Sequence, residues 1–457
     1  MNASRRVLLF VVYATSLYLL ASVLAAGFHW KWKPVRRINL IADITKKHPG
    51  EDIDETDSLN STDTSSVIII QPPIKDKTTD FYLYHSPHLV TDFNIDTTAS
   101  ALERFVKKLH DLKNGKKRKI RIAYLGDSMI EGDLLTQTLR KLLQKEFGGG
   151  GVGFVPITSQ VSGFRTTVTD NYSGGWQDEN FKSDGDKSHL FVSGHLFRSS
   201  GDWVQMKDQT VTDTAAVIEK SLLCGYASHP VNVTLNNNPF TVHAENKFNR
   251  IVLEKSKNTS IKLAVADEQL PVYGISFETE SGIVLDNYSF RGITGIEFAR
   301  IDSTFLSAIA ESNPYDLIIF QYGVNLLFRP NDKNFSWYAR ALLPVVTKLK
   351  NCFSESDFLL VSTADRAFRY GGEYRSAIGI DSLVKVQALL AYESGCSFYN
   401  QFETMGGANS IVEWANRNPS LANKDYVHPN YRGAEVLGKY FFEAIMNDYE
   451  KYVRKLK

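Results

Sequence analysis

The chain has 457 residues, of which 43% are hydrophobic and 23% charged, a composition that excludes global disorder and collagen-like repetition. Its 52 Lys and Arg against 51 Asp and Glu leave a formal net charge of +1, which argues against a nucleic-acid binder that works through a strong basic field. Cys224, Cys352 and Cys396 are too few for a disulfide framework; three separate buried thiols are the favoured interpretation, and a Cys352–Cys396 bridge is the alternative.

The N-terminal segment predicts a membrane or export signal. An uncharged run at residues 7–28 follows Arg5 and Arg6 and matches the roughly 20 apolar residues that a helix needs to cross a bilayer. We therefore predict a signal anchor within residues 1–30, with a cleaved signal peptide as the alternative. Residues 31–95 are predicted to be a largely irregular linker, because much of this stretch is acidic, rich in Ser and Thr, and free of periodic apolar positions.

An α/β pattern begins after this linker, over residues 96–153. Apolar positions at helical spacing predict a helix over 102–112, and a strand over 119–125 runs straight into Gly126, Asp127 and Ser128. Leucines between 134 and 143 predict a second helix directly after this turn. A strand–turn–helix unit of this kind is the usual start of a layered α/β domain.

The pattern then changes and later returns. Residues 154–280 consist of short alternating runs, including a hairpin over 231–242, and predict an inserted β-sandwich. Over 281–457 the α/β pattern resumes, with strands predicted at 317–322 and 358–361 and helices at 337–350, 383–392 and 434–449. A long loop is expected after residue 392.

Short motifs with catalytic potential lie at turns of the predicted α/β domain. Ser128 follows the first strand at the sheet edge where active sites form in open parallel sheets, although a serine there can simply cap the next helix. Near the other end, His428 stands three residues after Asp425, a spacing that lets a carboxylate orient a general base. Between them, Gly295 and Asn325 follow predicted strands and could supply donors to an oxyanion, or be ordinary turn residues.

Together and in this order, these motifs resemble those of the SGNH (GDSL-type) hydrolase superfamily. The resemblance implies a three-layer α/β/α domain in which Ser128 is the nucleophile, His428 the general base and Asp425 its orienting carboxylate. The ordinary α/β-hydrolase elbow fits less well, because Ile130 occupies its second glycine position. No metal-binding motif such as His-Glu-x-x-His is present in the sequence, and the resemblance implies no cofactor.

The same resemblance implies an oxyanion hole made by the Ser128 N–H, Gly295 and Asn325, with Gly292 as a near competitor for Gly295. Leu326 departs from the pattern, because the superfamily usually has Asp at that position.

A narrower resemblance concerns the substrate. An SGNH domain that is interrupted by a β-sandwich and tethered outside the membrane is similar to bacterial peptidoglycan O-acetylesterases and related O-acetyltransferases. It implies an O-acetylated glycan as substrate, no nucleic-acid partner, and a location outside the cytoplasm, either anchored in the inner membrane facing the periplasm or secreted. The insert then resembles a carbohydrate-binding module, in which Trp176, Tyr172, Trp203 and Phe197 are candidates for stacking on sugars; packing inside the sandwich is the alternative for each.

The leading hypothesis is therefore a serine esterase that removes O-acetyl groups from a cell-envelope or extracellular glycan through an acetyl-enzyme. The alternatives are an O-acetyltransferase that uses the same site with a sugar hydroxyl as acceptor, and an inactive tethered glycan-binding protein.

Overall fold

The computed structural model describes residues 80–457, together with Tyr13 alone from the N-terminal part of the chain. The predicted anchor and most of the predicted linker therefore lie outside the described residues. Within the described part of the chain, no helix is both long enough and apolar enough to span a bilayer.

Strands and helices both occur along residues 80–457. The strands are β1 (Val90–Thr91), β2 (Lys119–Gly126), β3 (Gly153–Pro156), β4 (Val168–Tyr172), β5 (Gln177–Asn180), β6 (His195–Arg198), β7 (Asp202–Asp208), β8 (Ile218–Gly225), β9 (Val231–Leu235), β10 (Asn238–Val242), β11 (Phe248–Ser256), β12 (Ser260–Val265), β13 (Val272–Glu278), β14 (Gly282–Ser289), β15 (Leu317–Gln321), β16 (Asp357–Val361), β17 (Ala367–Tyr370), β18 (Glu373–Ser376) and β19 (Ser397–Tyr399). The helices are α1 (Glu103–Lys113), α2 (Thr136–Phe147), α3 (Ser303–Ser312), α4 (Ser336–Cys352), α5 (Ile380–Ser394), α6 (Gln401–Met405), α7 (Ser410–Asn416) and α8 (Tyr431–Lys455).

A six-stranded sheet forms the centre of the α/β domain, in the order β1–β19–β16–β15–β2–β14. The five strands from β19 to β14 are parallel, and β1 pairs antiparallel at one edge. This is the order of a doubly wound sheet: β2 is second from one edge, with β14 beside it at that edge and β15, β16 and β19 following on its other side.

Helices cover both faces of this sheet, as a parallel sheet requires. Alternate residues of β2 point to opposite faces: Ile122 joins the core formed with α1, α2 and α8, whereas Leu125 joins the core formed with α3, α4 and α5. The structure thus confirms the three-layer α/β/α fold class.

Strands β3 to β13 lie in the chain between β2 and β14, and together they are called the β insert. They form a five-stranded sheet (β10–β9–β12–β7–β4) and a six-stranded sheet, and every strand pair in both is antiparallel. Phe197, Leu222 and Leu263 are buried between the two sheets. On its other face, the six-stranded sheet packs Phe248 against Phe305 of α3, so the β insert shares a core with the α/β domain.

The structure corrects two local expectations and confirms a third. Helix α2 begins only at Thr136, not directly after Ser128, because Gly132 and Asp133 both take positive φ angles in an intervening 3₁₀ turn. The loop expected after residue 392 contains β19, α6 and α7, elements too short to give a periodic signal. The favoured interpretation of three separate thiols is confirmed, with Cys224 and Cys396 buried and Cys352 half-buried.

Candidate active site

Ser128 lies in the turn at the carboxyl end of β2. The turn is tight at Gly126, where an added Cβ would come within 2.9 Å of the Ile130 side chain and 3.2 Å of the Gln321 carbonyl oxygen. The Ser128 side chain is half-buried, while Asp127 before it and Met129 after it are buried. The nucleophile candidate is therefore held by a packed backbone and remains accessible at the sheet edge.

Asp425 and His428 reach Ser128 from the loop before α8. The Ser128 Oγ lies 2.9 Å from His428 Nε2, and His428 Nδ1 lies 2.8 Å from Asp425 Oδ2. The other carboxylate oxygen of Asp425 accepts the backbone N–H groups of Val427 and His428, at 3.0 and 3.1 Å. The three side chains thus form the hydrogen-bonded chain of a serine–histidine–carboxylate triad.

The carboxylate of Asp425 is set up to stay ionised. Burial raises its pKa, but the hydrogen bonds from the His428 side chain and from two backbone N–H groups outweigh burial and hold the pKa at about 2. Because the Asp425 side chain is 46% exposed, its orientation depends more on these hydrogen bonds than on packing against neighbouring side chains.

Asn325 connects the Ser128 turn to the loop at residues 292–295. Its Nδ2 donates to Asp127 Oδ2 at 3.1 Å and to the Ile293 carbonyl at 2.9 Å. Gly295 takes φ 89° at the end of this loop, and an added Cβ would lie 2.6 Å from the Phe320 ring. At Gly292, which has φ 77°, an added Cβ would meet only the movable end of Lys182, so packing restricts Gly295 more strongly.

Asp127 is part of the Gly-Asp-Ser motif, but the sequence gives no role for its side chain. Its carboxyl group is buried and accepts the Met129 N–H at 2.9 Å as well as the Asn325 amide. Burial raises its pKa to about 7, against the lowering effects of the Met129 hydrogen bond and of His428. Asp127 thus holds the side chain of Asn325, a proposed oxyanion donor, beside the Ser128 turn.

Leu326 and Arg366 complete the surroundings of Asn325. Leu326, which replaces the usual Asp, is 3% exposed and belongs to the apolar core, so its side chain takes a packing role. Arg366 donates to the Val324 carbonyl at 3.0 Å, and its charge also acts on Asp425.

Aromatic side chains lie in and directly after the loop that holds Asp425 and His428. Tyr426, between the two motif residues of its loop, stacks on Tyr374 with ring centroids 4.1 Å apart. On another side, Tyr431 donates from its hydroxyl to the backbone of Phe164, whose ring is 68% exposed. Tyr426 lies within the Asp-x-x-His motif and Tyr431 three residues after it, a signal that sequence reasoning did not use.

The aromatic candidates of the β insert contact one another instead. Trp176 donates to the Trp203 carbonyl at 3.2 Å, and both rings are half-buried. Tyr172 is also half-buried and packs against the insert's core, as Trp176 does. Phe197 is fully buried between the sheets, so the expectation that it could stack on a sugar is wrong.

Within residues 80–457, no cluster of three or more His, Cys, Asp or Glu side chains has the arrangement of a metal site.

No protein-family model and no curated protein matches this chain. A solved structure of a peptidoglycan O-acetylesterase matches with 21% identity and a TM-score of 0.65, over 77% of this chain and 98% of its own. An acetyl xylan esterase (14% identity, 36% and 81% coverage, TM-score 0.28) and a family two carbohydrate esterase from Cellvibrio japonicus (8%, 62% and 99%, 0.27) also match, but similarity at TM-scores this low supports no conclusion.

The chain therefore shares the fold of that peptidoglycan O-acetylesterase, and within it the Ser128 turn and the Asp425–His428 loop bring together the residues that the SGNH (GDSL-type) resemblance of the sequence predicts as the triad. Among proteins of that fold, it is similar over most of its length to a peptidoglycan O-acetylesterase.

Proposed function

We propose that this protein is a serine esterase that removes O-acetyl groups from a glycan of the cell envelope or the extracellular space. The observation that carries the proposal is the continuous hydrogen-bonded chain from Ser128 through His428 to Asp425 at the carboxyl edge of the parallel sheet. Similarity in fold to a peptidoglycan O-acetylesterase supports the choice of an acetylated glycan as substrate.

In the first half-reaction, Ser128 Oγ attacks the acetyl carbonyl carbon while His428 Nε2 takes the hydroxyl proton. The imidazolium that forms is stabilised by Asp425, which accepts the Nδ1–H. Collapse of the tetrahedral intermediate breaks the ester bond, and His428 returns the proton to the leaving sugar oxygen. Water then attacks the acetyl-enzyme with His428 again as base, which releases acetate and restores the Ser128 hydroxyl.

The negative charge of the intermediate develops on the former carbonyl oxygen. The proposed donors to it are the backbone N–H groups of Ser128 and Gly295 and the side-chain amide of Asn325. Both amide hydrogens of Asn325 already have acceptors, on Asp127 and on Ile293. In this proposal, Asn325 therefore shares one hydrogen between its present acceptor and the oxyanion in a three-centre bond.

The aromatic rings around the triad support a sugar substrate rather than a long acyl chain. Tyr374, which stacks on Tyr426 of the triad loop, and Phe164, whose carbonyl accepts from Tyr431, are exposed at 43% and 68%. Flat apolar faces of this kind suit a sugar ring. A position outside the cytoplasm is part of the proposal and depends on the apolar run at residues 7–28.

The test compares the full-length protein with Ser128→Ala on 4-nitrophenyl acetate and on an O-acetylated glycan, with acetate release as the readout. Loss of the nucleophile should lower kcat by at least about 10⁴-fold. The matched control is Ser303→Ala, at an exposed serine that begins α3, and it should keep the parent rate. Equal activity in the parent and in Ser128→Ala would refute the assignment of the nucleophile.

A further inference from the structure

A second polar cavity lies between the β insert and the α/β domain. It is a cleft of about 410 Å³, within the range of about 300–1,000 Å³ that is usual for small-molecule sites. The α/β domain contributes Glu131, three residues after Ser128, and Arg291, one residue before Gly292. The β insert contributes Asp178, Lys182 and His195. The cleft thus joins the insert to two segments that also build the proposed active site.

Carboxylates that line this cleft already have partners. Asp178 Oδ1 lies 2.8 Å from His195 Nδ1, and Glu131 Oε2 lies 2.7 Å from the Nε of Arg291. Both carboxylates are thus already engaged inside the cleft, Glu131 with a guanidinium group and Asp178 with an imidazole.

The ammonium group of Lys182 is in a different situation. It lies 5.7 Å from the centre of the Phe290 ring, and a Cβ added at Gly292 would come within 2.8 Å of Nζ. Among the residues that the structure describes, no carboxylate lies within ion-pair distance of this ammonium. The β insert thus places a cation without an anionic partner over the loop that leads to Gly295.

Ser193 supplies a second, independent observation. It lines the same cleft and is 3% exposed, and its Oγ has no hydrogen-bond partner within residues 80–457. A buried hydroxyl without a partner costs about 1–3 kcal/mol, so a ligand hydroxyl that reached it would recover part of this free energy. The wall of the cleft therefore holds one ammonium group without an anionic partner and one buried hydroxyl without a hydrogen-bond partner among the described residues.

We propose that this cleft is the subsite for a sugar ring that bears a carboxylate and neighbours the acetylated ring, with Lys182 pairing with the carboxylate and Ser193 bonding a ring hydroxyl. The inference rests on the proposed esterase function, because it places the acetylated ring at Ser128. It makes the β insert part of the substrate site, and the substrate an acidic glycan.

The test uses the full-length protein and two O-acetylated disaccharides that differ only in the neighbouring ring, which is glucuronic acid in one and glucose in the other. The parent should prefer the acidic disaccharide in kcat/KM by about tenfold, the size of one charge pair at a partly exposed site. Lys182→Gln should remove this preference through KM, and Lys182→Arg should keep most of it. The control Lys385→Gln changes an exposed lysine on α5 and should retain the parent's preference.

The outcomes separate this inference from the proposed function. If acetate release persists in Ser128→Ala, the esterase proposal itself fails. If release depends on Ser128 but the two disaccharides are cleaved equally well, or if Lys182→Gln keeps the preference, the acidic subsite is refuted. If the parent releases no acetate, calorimetry with the same disaccharides decides: tighter binding of the acidic one that Lys182→Gln abolishes supports the subsite, and equal binding overturns it.

Ser193→Ala tests the second group with a readout that a merely structural role would not give. Since the hydroxyl lacks a partner within the described residues, its removal should leave the Tm unchanged or raise it, while KM for both disaccharides rises. A lowered Tm with an unchanged KM would assign Ser193 to packing alone and remove it from the subsite.

Discussion

The α/β domain and the β insert bring side chains together in different ways. In the α/β domain, Ser128 and Asn325 meet because parallel strands β2 and β15 end at one edge of the sheet, and the loop before α8 brings His428 to the same edge. In the β insert, Tyr172 and Trp203 lie on the paired strands β4 and β7 and remain with Trp176 beside the insert's core. In the α/β domain, sheet topology brings residues of different turns together. In the β insert, side chains alternate along each strand between the core and the surface of the sandwich.

The largest expected loss of activity, which tests whether the residues that converge in the α/β domain are catalytic, is at Asp425. Asp425→Asn keeps the shape of the side chain but favours the wrong tautomer of His428, so kcat should fall by about 10³- to 10⁴-fold. Stopped-assay rates on 4-nitrophenyl acetate measure the loss. Asp184→Asn, at an exposed acid of the β insert, is the matched control and should keep the parent rate. A parent-like kcat in Asp425→Asn would remove this residue from the triad.

A smaller loss is expected at Asn325. Asn325→Ala removes one proposed oxyanion donor together with the link between Asp127 and Ile293, and should lower kcat by about 10²- to 10³-fold. Asn232→Ala, on strand β9 of the insert, should have little effect on kcat. If Asn325→Ala changed KM alone, Asn325 would contact the substrate in its ground state and would not be an oxyanion donor.

Asp127 predicts a pH dependence of stability that arises directly beside the nucleophile. Because burial raises its pKa to about 7 in the folded protein, the carboxyl group binds a proton more tightly in the folded than in the unfolded chain. Its contribution to the free energy of unfolding is therefore fully present below about pH 4 and is lost as the pH rises through 7. Relative to the parent, Asp127→Asn should be least stable near pH 4 and should gain a few kcal/mol by pH 8.

Urea unfolding at several pH values, between 4 and 8, measures this difference. Parallel stability curves for the parent and Asp127→Asn would show that Asp127 titrates normally. Activity supplies a separate readout, since the new amide would place a donor opposite the Asn325 amide and should lower kcat.

Long apolar runs and glycine turns explain why much of the α/β domain could be predicted from sequence. The predicted strand at residues 317–322 is β15, whose five residues are all buried, and the helix predicted at 434–449 lies within α8. The start of α2 could not be predicted, because the positive φ angles at Gly132 and Asp133 are set by packing and by the buried bonds of Asp133 to Arg140. Strand β19 has three residues and depends on pairing with β16, which periodicity does not report.

The sequence motifs predicted the triad residues of the site, but not the side chains that surround them. The Asp-x-x-His and Gly-Asp-Ser patterns identify residues that contact one another across 300 positions of sequence separation. The Tyr374–Tyr426 stack and the placement of Lys182 over Gly292 arise between segments with no local pattern in common. Side-chain type alone did not distinguish Phe197, which is buried, from Phe164, which is exposed.

The smallest predicted effect distinguishes the two sets of aromatic residues directly. Tyr374→Ala removes a ring beside the triad, so KM for an O-acetylated glycan should rise about 2- to 10-fold, more than KM for 4-nitrophenyl acetate, with little change in Tm. Trp176→Ala removes a half-buried ring that packs on the insert's core, so it should lower the Tm and leave both KM values nearly unchanged. The reverse pattern, a raised glycan KM in Trp176→Ala at an unchanged Tm, would make the β insert's tryptophans the sugar-stacking surface and the tyrosines of the α/β domain a packing pair.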